Sequence, residues 1–180
     1  LAFITTDAPI EAKALDSSLR TNVERSFNMV TIDGDTSTND TVLAMANGIG
    51  DGPIIDMEDK KGLSEFNTAL WSVCRKLAID LARDGEGATK LIEMRVTGAA
   101  NWEEGRDVAR SVVQSPLLKA ALSKGDPNWG RVLMAAGYSG VEFDPSVVRL
   151  WMGDQILFQN GISTGTPASE AAQATAGDTV

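Results

Sequence analysis

The first eight residues, LAFITTDA, alternate. Leu1, Phe3 and Thr5 share one face and Ala2, Ile4 and Thr6 the other, which predicts a strand. Asp7 then offers a helix cap, with Pro9 tolerated in the first turn, and the helix is expected to bury Ile10, Leu15, Leu19 and Val23. Residues 27–32 read as a second strand running into the polar DGDTSTNDT of positions 33–41. Val42–Ala46 is expected to form the body of a short helix, stopped by Asn47-Gly48. Residues 48–62 are rich in glycine and charge and predict a surface loop.

The clearest periodicity follows. Leu63, Phe66, Leu70, Val73, Leu77 and Leu81 recur at spacings of three and four and predict one long amphipathic helix, ended by DGEG at 84–87. Residues 88–97 alternate, with Ile92, Met94 and Val96 inward and Glu93, Arg95 and Thr97 outward, as in a half-exposed strand. Two helices are expected at 103–114 and 116–123, broken at Ser115-Pro116, and a third after DPNWGR, ending at Gly137. Residues 147–159 form two β-rich runs around Gly153-Asp154, a hairpin signal. After Gly161 the chain is small and polar, which predicts a flexible or truncated tail over 161–180, with residues 1–160 as a single lobe. The class is α/β.

Composition narrows the chemistry. The chain is 43% apolar, and no apolar run approaches the ~20 residues that a membrane span requires. A net charge of −9 argues against a nucleic-acid or anionic-membrane surface. The single cysteine, Cys74, falls in a helical apolar pattern and is expected as a buried thiol without an intrachain disulfide. The chain has no histidine, which removes Ser-His-Asp and Cys-His catalysis and the commonest metal ligand from it. A base within such a chain would be a carboxylate or an amine.

Three motifs could carry chemistry. DGDTSTND spaces Asp33, Asp35, Ser37 and Asn39 like the first half of a calcium loop, but Thr38 stands where glycine is needed and Ala44 where the closing glutamate is needed. A strand-to-helix turn with side chains capping backbone amides is the simpler reading. In DGEGATK, the simpler reading is that Gly85 ends a helix; the alternative is that two flanking glycines let a ligand approach while Glu86 projects toward an amine. Composition leaves that choice open, and Lys90 reads as a strand-face charge rather than a catalytic amine. In DPNWGR, Asn128 suits a helix cap, Trp129 the core, and Arg131 either the surface or a carboxylate ligand.

Read in order, TIDGDTSTNDTVLAMANG (31–48), RDGEGATKLIEMRVTGA (83–99) and SPLLKAALSKGDPNWGRVLMAAGYSG (115–140), after the LAFITTDA opening, resemble the β-chain of glutamate N-acetyltransferase, the ornithine acetyltransferase of arginine biosynthesis. The resemblance covers roughly residues 1–160 and implies an N-terminal-nucleophile fold of layered sheets with flanking helices. It implies a self-cleaved precursor whose nucleophile, a threonine, stands two positions before Leu1. The threonine carries its own base, since its free α-amine titrates near neutrality, at about 7.7–8.0 in model compounds. The implied reaction moves an acetyl group from N-acetylornithine to glutamate through an acyl-enzyme. Glu86 is the implied substrate-binding residue. The oxyanion hole is implied to lie in the α-chain of the same precursor, within an α2β2 heterotetramer in the cytoplasm. No metal or cofactor is implied, acetyl-CoA serving as a second donor in some members. The family's closing polar segment, with an asparagine and a threonine that complete the substrate site, finds no match after Gly161. Two alternatives share part of this pattern: an amidohydrolase or secondary-metabolism acyltransferase with the same nucleophile, and a non-catalytic binding or structural subunit.

Overall fold

The opening alternation becomes β1 (Ala2–Thr6) in a computed structural model that describes residues 1–180. Ala2 and Ile4 are buried and Phe3 is exposed, as the pattern requires. The partner of β1 is β2 (Val42–Ala46), parallel and in the register Ala2↔Val42 to Thr6↔Ala46. The helix expected at 42–46 is therefore a strand. VLAMA lacks period-2 alternation and contains good helix formers, so pairing with β1 overrides local propensity. The chain divides into two compact units, Leu1–Val30 with Asp35–Ala82, and Thr31–Gly34 with Arg83–Val180.

In the first unit α1 spans Ala12–Glu24, later than expected, and Asp7 does not cap it. Residues 7–11 are extended instead, because the 47–55 loop takes up their backbone groups. Gly50 N donates to Asp7 O, Ile55 N to Pro9 O and Glu11 N to Ile55 O, at 2.7–3.0 Å. A Cβ at Gly50 would lie 2.8 Å from Asp7 O, so this approach excludes any other residue. The most buried face of α1 is Ala14, Ser18 and Asn22, while Leu15, Leu19 and Val23 are only half-buried. Residues 27–32 do not form a strand: Phe27–Met29 is a 3-10 turn closed by Val30 N to Phe27 O.

The long helix α2 spans Lys60–Arg83. Its seam is Leu70, Cys74 and Ala78, flanked by Phe66 and Leu77, while Val73 and Leu81 are exposed. The core of this unit is small: Ile4, Leu70 and Cys74, with Leu19, Phe27, Val42, Ala44, Phe66 and Leu77 against it. The opposite face of β1–β2, carrying Phe3, Leu43 and Met45, is exposed.

The second unit closes around a larger core. Helices α3 (Trp102–Gln114), α4 (Pro116–Ser123) and α5 (Trp129–Gly137) match the expected spans. Each begins with a side chain that accepts from a backbone amide, Asn101 from Glu104, Ser115 from Leu118 and Asn128 from Arg131. Strands β3 (Leu150–Met152) and β4 (Gln155–Gln159) form the predicted hairpin across Gly153-Asp154. Val112, Leu118, Leu122, Val132, Leu150, Leu157 and Phe158 are among its buried residues.

Residues 88–97 depart from expectation in pairing but not in facing. Only Leu91 makes a ladder contact, a parallel bridge to Thr179, yet Ile92, Met94 and Val96 do pack on the core. The 161–180 segment, predicted loose from its composition, here carries the short β5 (Ile162–Ser163) and α6 (Ala168–Gln173), with Ala171 and Thr175 buried. No helix is long and apolar enough to cross a membrane.

Candidate functional site

The DGEG segment leaves the end of α2 as a tight turn. Ala88 N donates to Gly85 O at 2.9 Å, which places Glu86 and Gly87 at the turn's two central positions. Gly87 has φ +71 and Glu86 does not enter the left-handed region, the pattern of a type II turn. A Cβ on Gly87 would meet nothing within 4 Å, so the glycine answers a torsional need rather than a steric one. Glu86 is thus displayed at the apex, exposed. A carboxylate on such a turn can pair with an amine and can be approached from several sides.

Lys90 is not a strand-face charge. The residue is half-buried, and its ammonium donates to the carbonyls of Thr175 at 2.7 Å and Gly177 at 2.8 Å. No sequence signal links positions 85 residues apart, so this role was not legible in advance.

The DGDTSTND segment is an exposed turn held by its own side chains. Ser37 N donates to Asp40 Oδ2 at 3.1 Å and Asn39 N to Ser37 Oγ at 3.2 Å. That agrees with amide capping, although the turn leads into a strand rather than a helix. In DPNWGR, Asn128 caps α5 and also donates to Asp126 Oδ2 at 3.1 Å. Trp129 stacks on Phe158 with centroids 5.7 Å apart. Arg131 is half-buried and its guanidinium lies 3.3 Å from the Met134 sulfur. Asn128 and Trp129 thus serve the helix start and the core, while the Arg131 guanidinium stays on the surface of α5.

Two further features bear on chemistry. Burial pushes the Cys74 thiol up, opposed by a hydrogen bond with Ser26, so the thiol is held in its unreactive form. An apolar cleft of about 480 Å³ opens between α5 and the 141–148 segment, with Leu133, Val141, Phe143, Val148 and Phe158 in its wall and Glu142 as its acid.

The ArgJ family model matches residues 1–180. The arginine biosynthesis bifunctional protein ArgJ of Symbiobacterium thermophilum is 53% identical over 161 residues, covering 89% of this chain and 40% of that protein. The protein of the same name from Dehalococcoides mccartyi is 45% identical over 170 residues, covering 94% and 42%. A chloroplastic ArgJ of Physcomitrium patens is 45% identical over 161 residues, covering 89% and 31%. The crystal structure of ArgJ from Bacillus halodurans superposes with a TM-score of 0.95 at 40% identity, covering 99% of this chain and 84% of that one. The chain spans about two fifths of the length of the first two curated relatives. With a family match end to end and a shared mixed α/β fold, this chain belongs to the ArgJ family.

Proposed function

We propose that the protein acts as an ornithine acetyltransferase, moving the acetyl group of N-acetylornithine to the α-amine of glutamate. The observation that carries this reading is the family match across residues 1–180, joined to relatives named for arginine biosynthesis. In this reading a threonine two positions before Leu1 is the nucleophile. Its α-amine takes the hydroxyl proton, the oxygen attacks the acetyl carbonyl, and ornithine leaves as the amine. Glutamate then attacks the resulting ester and restores the threonine. Glu86 binds the cationic end of the ornithine substrate, which the exposed apex of the 85–88 turn supports. A histidine-free chain suits this chemistry, because the nucleophile brings its own base.

The partner in this reading is the α-chain of the same precursor, which supplies the oxyanion hole, in an α2β2 assembly located in the cytoplasm. Two observations support a separate α-chain. The solved Bacillus halodurans chain is covered to 84% by residues comparable to those that cover only about two fifths of two curated relatives. The exposed Phe3, Leu43 and Met45 also form an apolar face on a parallel strand pair, a kind of sheet usually covered on both sides. Incubating the mature full-length protein with N-acetylornithine and glutamate tests the reaction. N-acetylglutamate should accumulate in step with ornithine, whereas free acetate without N-acetylglutamate would replace the transferase by an amidohydrolase.

A further inference from the structure

The loop that displays Glu86 is held at both feet by one distant segment. On one side, Arg83 Nη2 lies 3.3 Å from Thr179 Oγ1. On the other, Lys90 Nζ donates to Thr175 O and Gly177 O. Directly after Lys90, Leu91 N donates to Asp178 O, Val180 N to Leu91 O and Glu93 N to Val180 O, at 2.8–2.9 Å. Residues 175–180 are themselves anchored. Thr175 is fully buried, and its hydroxyl sits 2.9 Å from the carbonyls of both Gly125 and Ala172.

The chemistry at this contact favours a cation. The carbonyls just past the end of α6 have no helical partner, and an ammonium group can donate to two of them at once. A neutral aliphatic side chain would give up both bonds and leave the exposed Gly177 carbonyl to water. Glu86 has no hydrogen bond of its own to fix it, so its position is inherited from the turn and the turn's from its feet. Releasing one foot multiplies the conformations of a short loop, and that entropy must then be removed when substrate binds.

We propose that Lys90 is a positioning residue: by clamping residues 175–177 it fixes where the turn holds the Glu86 carboxylate, and so sets affinity on the ornithine side of the reaction. The inference rests on the reading of Glu86 as the substrate contact. Lys90 itself touches no reacting atom, so its loss acts on KM and spares kcat.

The test compares Glu86→Gln, Lys90→Met, Lys90→Arg and the Glu86→Gln/Lys90→Met double variant in the mature full-length protein. Lys90→Met should raise the KM for N-acetylornithine roughly three- to tenfold with kcat within about twofold, Lys90→Arg should stay near wild type, and the double variant should be no worse than Glu86→Gln. A wild-type KM in Lys90→Met alongside a raised KM in Glu86→Gln would overturn the role of Lys90 and leave that of Glu86 standing. An unchanged KM in Glu86→Gln would overturn both. Effects that multiply in the double variant would mean that Lys90 acts apart from Glu86, which also overturns the proposal. Thr179→Val, at an exposed position, tests the other foot should Lys90→Met fail to accumulate: a KM raised about twofold supports the clamp, and an unchanged one overturns it.

Discussion

The two units bury their apolar residues in different ways. The second unit wraps four helices and a hairpin around a core that includes Val112, Leu118, Leu122 and Leu157, all nearly inaccessible. The first buries three apolar residues in its cluster and leaves Phe3 60%, Met45 54% and Leu43 45% exposed on the outer face of its sheet. Both units leave large apolar side chains exposed, Val147 and Ile162 of the second among them, but the three of the first share one face of its parallel strand pair. In the proposed function, the second unit is the scaffold of the Glu86 turn and the outer sheet face of the first is the side offered to the α-chain.

Substitutions can break this contrast. The largest effect is expected at Leu118, whose side chain is 1% exposed: Leu118→Ala should cost about 2–5 kcal/mol in urea unfolding of the full-length protein. Leu70→Ala, in the smaller and more open core, should fall near the lower end, about 2 kcal/mol. Equal losses at the two sites would remove the distinction between a closed core and an open one. Met45→Asp places a charge on the exposed apolar face and should weaken association of the two mature chains about tenfold, read by dilution in native mass spectrometry. Unchanged association would show that this face is not the contact.

The smallest expected effect is electrostatic. The Ser146 hydroxyl and amide hold the Asp144 carboxyl below its usual range, so in acid the unfolded state binds more protons than the native one. That contribution is present at neutral pH and is lost as pH falls through the native value, which lies below 3.8. Asp144→Asn should lower Tm slightly at neutral pH, with the gap from wild type closing in acid. A gap that widens in acid would reverse the sign.

The closed unit was also the legible one. Asn101, Ser115 and Asn128 mark their helices locally, and Gly153 marks its hairpin with φ +54. Even the overlooked β5 had a signal, since Asn160-Gly161 takes positive φ at both turn positions, the Asn-Gly signature of a tight hairpin. The first unit was harder because partners distant in sequence decide its structure. β2 is a strand only because β1 lies beside it, and residues 7–11 are extended only because the 50–55 segment binds them. Of the candidate site, the glycine turn at 85–88 could be read from GEGATK, whereas the role of Glu86 rests on the family resemblance. Lys90 could not, because its partners are two backbone carbonyls at 175 and 177, which no side-chain identity announces.

In the proposed function an acyl-enzyme forms on a threonine two positions before Leu1. The direct test is the intact mass of the mature β-chain after brief mixing with N-acetylornithine, followed by peptide mapping. The account predicts one acetyl group, located on the N-terminal threonine and discharged by glutamate to give N-acetylglutamate. A β-chain whose mass does not change while N-acetylglutamate forms, or an acetyl group that glutamate does not remove, would contradict it.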